Sequence, residues 1–88
     1  MAWQIEYRPS AVKDLKKVDR VTQRRVVEFF KNRIAPSEDP RSIGKPLTGN
    51  KQGFWRYRIG SYRVFCSIED DVVTVLVLRV LHRGKAYK

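Results

Sequence analysis

The side chains in this sequence best equipped for chemistry are guanidiniums. In FWRYRIGSYRVF, residues 54–65, Arg56, Arg58 and Arg63 alternate with aromatic rings. An arginine fork fits phosphate oxygens bidentately and keeps its charge at any ordinary pH. The closing stretch RVLHRGKAYK, residues 79–88, adds Arg83 and Lys85, one imidazole (His82) and one phenol (Tyr87). Cations for a phosphorane's charge, with a proton acceptor and a proton donor, are what cleavage of RNA by its own 2′-hydroxyl requires. The hydroxyl attacks the adjacent phosphorus and the 5′-oxygen of the next nucleotide leaves, without a metal. Phe65 and Tyr87 offer faces on which splayed bases can stack.

Other chemistries lack their parts. The five glycines are scattered and form no phosphate loop. A single histidine suggests neither a metal-binding pair nor a Ser-His-Asp set. The one cysteine, Cys66, excludes an intramolecular disulfide, and with one histidine it cannot build the usual zinc site. Carboxylates are few, so metal-assisted hydrolysis is not expected. No metal and no cofactor are expected.

Charge points to the partner. Nineteen Lys and Arg against nine Asp and Glu leave a formal +10, which attracts polyanions. RNA, DNA, an anionic membrane or an acidic protein would all answer, and nucleic acid fits best. Lys13, Lys16, Lys17, Arg20, Arg24 and Arg25 form a separate basic set. They read as a solvated helix face that also suits docking on a large RNA or an acidic partner helix.

These groups need a scaffold, and 88 residues allow one domain, spanning 1–88. The first residues contain no signal-peptide core, and the longest apolar run, VVTVLVL, is far short of a membrane span. The cytoplasm is the expected location. WQIEY (3–7) alternates as a strand. Pro9 and Ser10 start a helix with an apolar stripe at Val12, Leu15 and Val18. A second helix runs from Asp19, its N-cap, to Ile34, burying Val26, Val27, Phe30 and Ile34. Residues 35–46, with three prolines, read as a surface loop.

Three strands follow, at about 54–59, 62–69 and 72–81. Gly60-Ser61 marks a hairpin and Asp70-Asp71 a second turn. The last strand is apolar on both faces and belongs in the sheet interior. Alternation turns Trp55, Tyr57, Ile59, Tyr62, Val64 and Cys66 inward, and Phe54, Arg56, Arg58, Arg63 and Phe65 outward. Trp3 and Trp55 are expected in the core. The predicted fold is α+β, ordered β-α-α-β-β-β, with a helical hairpin on one face of a small antiparallel-type sheet. The tail is expected to fold back, so that the arginines, His82 and Tyr87 line one concave surface.

The element order, the block LTGNKQGFWRYRIGSYRVFCSI and the terminal VLHRGKAY resemble the RelE/ParE superfamily of bacterial toxins from toxin–antitoxin pairs. The most specific parts are Leu47-x-Gly49, the aromatic and basic strand, SYRVFC and HRGKAY. The resemblance implies a RelE-like toxin, an endoribonuclease that cuts translated mRNA in the ribosomal A site, touches rRNA, and is silenced by an acidic RelB-like antitoxin. It implies basic residues matched by Arg56 and Arg58, arginines matched by Arg63 and Arg83, and a tyrosine matched by Tyr87. Arg63 and Arg83 are expected to stabilise transition-state charge, and Arg56, Arg58, Phe65 and Lys85 to hold the RNA. In related nucleases a histidine near the tail is acid or base, for which His82 is the one candidate. His82 or Tyr87 would take the 2′-hydroxyl proton. Family members often carry lysines where this chain has Arg56 and Arg58. Two alternatives stay open: a ParE-like gyrase inhibitor on the same fold, and a non-catalytic nucleic-acid-binding module.

Overall fold

The computed structural model describes residues 2–49 and 53–86. Strand β1 (Gln4–Tyr7) leads into helix α1 (Pro9–Lys16), and α2 (Arg20–Phe29) follows. Proline at the first helical position loses no hydrogen bond, because that N–H has no partner in the helix anyway. Asp19 caps α2 as expected, its carboxylate accepting from the Thr22 N–H at 3.0 Å. The final turn, Phe30–Ile34, widens to π geometry and carries the helical course to Ile34.

Beyond the helices come β2 (Lys45–Pro46), β3 (Phe54–Ile59), β4 (Tyr62–Glu69), β5 (Thr74–His82) and a short helix α3 (Arg83–Ala86). The sheet order is β1-β5-β4-β3-β2. Pairing is antiparallel throughout except that β1 lies parallel to β5, a geometry the intervening helical hairpin makes possible. The fold is α+β, with β5 in the interior. Gly60 turns the β3–β4 hairpin at φ +57°, which glycine adopts without steric cost.

Strand β2 was hidden inside the expected loop. It is two residues long, so it has no periodicity to detect. Its proline is admissible because β2 is the sheet edge. The rest of the loop is also anchored. Tyr57 donates its hydroxyl proton to the Pro40 carbonyl at 2.8 Å. Arg41 pairs with Asp39 and with Asp70, tying the Pro40–Ser42 turn to the β4–β5 connection.

The core lies between sheet and helices. Phe30 meets Tyr7, Phe29 and Tyr57 edge-on, with ring centroids 5.4 to 6.3 Å apart. Trp3 is buried and Trp55 packs against the core. Two expected core positions are corrected. Val27 is 43% exposed, because residues 26, 30 and 34 share one helix face and 27 is rotated away from it. Val12 is exposed as well, and Ala11 and Asp14 are buried in its place.

The cause is where α1 runs. β1 pairs with only the first half of β5, and α1 continues along the strand's remaining edge. The Arg8 N–H donates to the Val77 carbonyl at 2.9 Å, and the Ser10 hydroxyl to the Leu78 carbonyl at 2.7 Å. Asp14 accepts from the Val80 N–H at 2.9 Å and from Arg79 Nε at 2.7 Å. The helix thus satisfies strand groups that no neighbouring strand reaches. Burial works against the charge on Asp14, but Arg79, the Val80 N–H and Lys17 outweigh it and hold the carboxyl below its ordinary range. No helix among the described residues is long and apolar enough to cross a membrane.

Candidate functional site

The open face of the sheet carries the cations. In the β3–β4 register Arg58 stands opposite Arg63, and Arg56 opposite Phe65. Directly opposed residues of an antiparallel pair share a face. Lys45 stands opposite Arg56 on the other side of β3. Together Lys45, Arg56, Arg58 and Arg63, with Ile43, line a cleft of about 160 Å³. Arg58 is exposed, and Arg63 is only 7% exposed. Arg63 Nη1 donates to the carbonyls of Gly60 at 3.2 Å and Tyr62 at 3.0 Å, which pins the guanidinium beside the hairpin turn.

Next to this cleft the same face turns apolar. Leu47, Phe54, Phe65 and Leu78, with Arg79, line a shallow hollow of about 220 Å³. Phosphate-sized charge complementarity and base-sized apolar area therefore adjoin. A nucleotide has the same division, and single strands are held by this pairing of features.

His82 lies elsewhere. The register sets it opposite Tyr62, and both share the parity of Val64 and Val80, which face the helices. Its ring meets Tyr62 edge-on at 5.5 Å. The Gly84 N–H donates to His82 Nδ1 at 3.2 Å, so that nitrogen is an acceptor. His82, Lys85, Tyr62, Lys17 and Asp14 border a separate cleft of about 220 Å³ between α1 and the end of β5. The single hollow expected for the arginines and the imidazole is thus two clefts, because strand alternation sends residues 81 and 82 to opposite faces.

Arg83 opens α3, and its N–H donates to the Ser61 carbonyl at 2.8 Å. This continues the β4–β5 register by one pair and keeps Arg83 at the hairpin end where Arg63 is pinned. Tyr87 lies outside the described residues. The helical set Lys13, Lys16, Lys17, Arg20, Arg24 and Arg25 is exposed throughout. Arg20 and Arg24 border a groove on α2 with Lys31, Lys17 borders the His82 cleft, and Arg25 lies against Gly60. Among the described residues, no three His, Cys, Asp or Glu side chains come together as metal ligands would.

Lys45 is the residue that sequence reasoning passed over. The signal was Pro46: a residue before proline is driven to extended backbone, which marks a strand start inside an apparent loop.

The family model described as ParE toxin of type II toxin-antitoxin system, parDE, matches residues 5–87. Toxin RelG of Mycobacterium tuberculosis is 34% identical over 88 residues, covering 100% of this chain and 99% of RelG. Among solved structures, the RelBE2 toxin–antitoxin complex of the same organism contains a chain with a TM-score of 0.86 and 32% identity, covering 94% of this chain and 100% of that one. The archaeal RelE–RelB complex of Pyrococcus horikoshii gives a TM-score of 0.67 at 25% identity, covering 97% and 99%. This chain belongs to the ParE toxin family of type II toxin–antitoxin systems and is a RelE-like toxin.

Proposed function

We propose that this toxin is a metal-independent endoribonuclease that cuts translated mRNA in the ribosomal A site, in the cytoplasm, and is silenced by a RelB-like antitoxin. The observation that carries the reading is the open-face cleft, where Lys45, Arg56, Arg58 and Arg63 converge from three strands beside an apolar hollow. Arg56 and Arg58 hold the phosphate backbone, Arg63 and Arg83 stabilise the phosphorane, and Phe65 stacks a base. His82 faces the helices, so Tyr87 is the proposed acceptor of the 2′-proton. The exposed lysines and arginines of α1 and α2 are the proposed contacts to rRNA or to the acidic antitoxin. The structural relatives in complex with RelB support the antitoxin assignment.

The test is in vitro translation followed by primer extension on ribosome-bound message. The wild-type protein should leave a defined stop within the A-site codon, and Arg58→Ala should weaken it by about a hundredfold, as loss of one preorganised charge does. An undiminished stop in that variant overturns the site. The family model's ParE description favours a second reading, inhibition of DNA gyrase with no chemistry of its own. That reading predicts accumulating DNA breaks and intact message.

A further inference from the structure

Lys45 differs in kind from the other cations of its cleft. Arg56, Arg58 and Arg63 bind charge but do not surrender a proton at ordinary pH. An ammonium does. Of the described residues lining this cleft, Lys45 is the one with a transferable proton.

Its position is built into the fold. Pro46 drives Lys45 to extended backbone, and β2 then pairs with β3 so that Lys45 stands directly opposite Arg56. Amine and guanidinium leave the sheet side by side on the open face. The preceding residue allows this close approach. A Cβ on Gly44 would lie 2.9 Å from Tyr57 Cε1, closer than real Cβ contacts come, and 3.1 Å from the Arg56 carbonyl oxygen, tighter than most. Upstream, the Tyr57–Pro40 hydrogen bond and the Arg41 ion pairs fix the segment entering β2.

We propose that Lys45 is a catalytic residue, the general acid that protonates the departing 5′-oxygen; the proposal rests on the nuclease reading above. The 2′-oxygen bonds to phosphorus as its proton passes to the acceptor. The bond from phosphorus to the 5′-oxygen breaks, and that oxygen takes a proton from Lys45 Nζ. The products are a 2′,3′-cyclic phosphate and a 5′-hydroxyl, and water restores the ammonium. An ammonium is a stronger acid than a ribose hydroxyl, so transfer to the leaving alkoxide runs downhill. The three arginines keep the phosphorane's charge neutralised meanwhile.

The test compares Lys45→Arg with wild type on two ribosome-bound messages: an ordinary one, and one whose scissile 5′-oxygen is replaced by sulfur. Arginine keeps the charge and removes the transferable proton, and a thiolate leaves without protonation. Lys45→Arg should cut the ordinary message at least about a hundredfold more slowly than wild type, the scale of general acid catalysis, and match it on the thio-message. Its affinity for a single-stranded RNA oligonucleotide should equal that of wild type. Wild-type rates on the ordinary message, equal losses on both messages, or a loss confined to affinity would each overturn the role of Lys45 alone. Failure of the wild-type protein to cut either message would overturn the nuclease reading itself, and the proposal with it.

Discussion

Tyr62 and His82 meet edge to face, ring centroids 5.5 Å apart and planes at 86°, on the helix side of the sheet. Arg63, the next residue along β4, points the other way. This one relationship separates the imidazole from the arginine cleft.

The first prediction concerns His82. With its ring packed on Tyr62 and Nδ1 engaged by the Gly84 N–H, it is not positioned to exchange protons with a phosphate held on the open face. His82→Ala should lower cleavage of ribosome-bound message by less than about tenfold, short of the hundredfold or more lost with a working acid or base. Single-turnover rates of wild type and variant decide it. A loss above a hundredfold with unchanged folding would place the imidazole back in the reaction.

A second prediction follows from Asp14, which satisfies the buried Val80 N–H and pairs with Arg79. Asp14→Ala leaves that donor without a partner and should cost about 2 kcal/mol, little of it from the half-exposed Arg79. The pH dependence has a definite sign. The folded-state pKa is lowered, so the ionised carboxylate's contribution is present above the ordinary carboxylate range, about pH 4. It is lost as pH falls through the folded-state value. Urea unfolding at pH 7 and pH 3 should show the gap between wild type and variant closing at the lower pH.

What the sequence disclosed, and what it withheld, follows from the range of each signal. Alternation from Phe54 to Phe65 is a local property, and it assigned the inward and outward faces of β3 and β4. Helix starts at Pro9 and Asp19 are local too. The parity of His82 depended on where β5 pairs with β4, and a bulge between Phe65 and Cys66 shifts that register by one residue. Asp14 was obscure for a related reason: its burial comes from lying along an unpaired strand edge, which no stripe of apolar residues announces. Lys45 sits in a strand of two residues, too short for any period.

The third prediction tests how the cleft is held together. Gly44→Ala forces its new methyl against the Tyr57 ring and the Arg56 carbonyl. Overpacking of this kind costs about 1–3 kcal/mol, and here the strain falls where β2 carries Lys45. Thermal unfolding should show the loss. Cleavage should fall further than for Tyr57→Phe, which removes the hydrogen bond to Pro40 without adding volume. Equal activities of the two variants would mean that β2 does not need its exact position.

The fourth prediction is about Cys66. It is fully buried, and burial pushes its thiol far above the ordinary range. A thiol-specific reagent should leave the native protein unmodified and react at once in urea, so the modification rate reports global unfolding. Rapid labelling of the native chain would show that the sheet opens locally at β4.

The last prediction separates charge from stacking in RNA binding. Each phosphate that a cation contacts on a single strand adds about −0.7 to the slope of log K against log salt. If Lys45, Arg56, Arg58 and Arg63 are all engaged, the slope should be about −2.8, and Arg58→Ala should flatten it by about 0.7. Phe65 sits opposite Arg56 in the register and lines the apolar hollow, so its contribution is not ionic. Phe65→Ala should weaken affinity by about 1–3 kcal/mol, the value of one stacked base, and leave the slope unchanged. Fluorescence anisotropy with a labelled single-stranded oligonucleotide, titrated between low and physiological salt, measures both quantities at once. A slope near zero would mean that the open face does not engage the phosphate backbone. A slope that changes with Phe65→Ala would mean that the ring orders the arginines beside it instead of contacting a base.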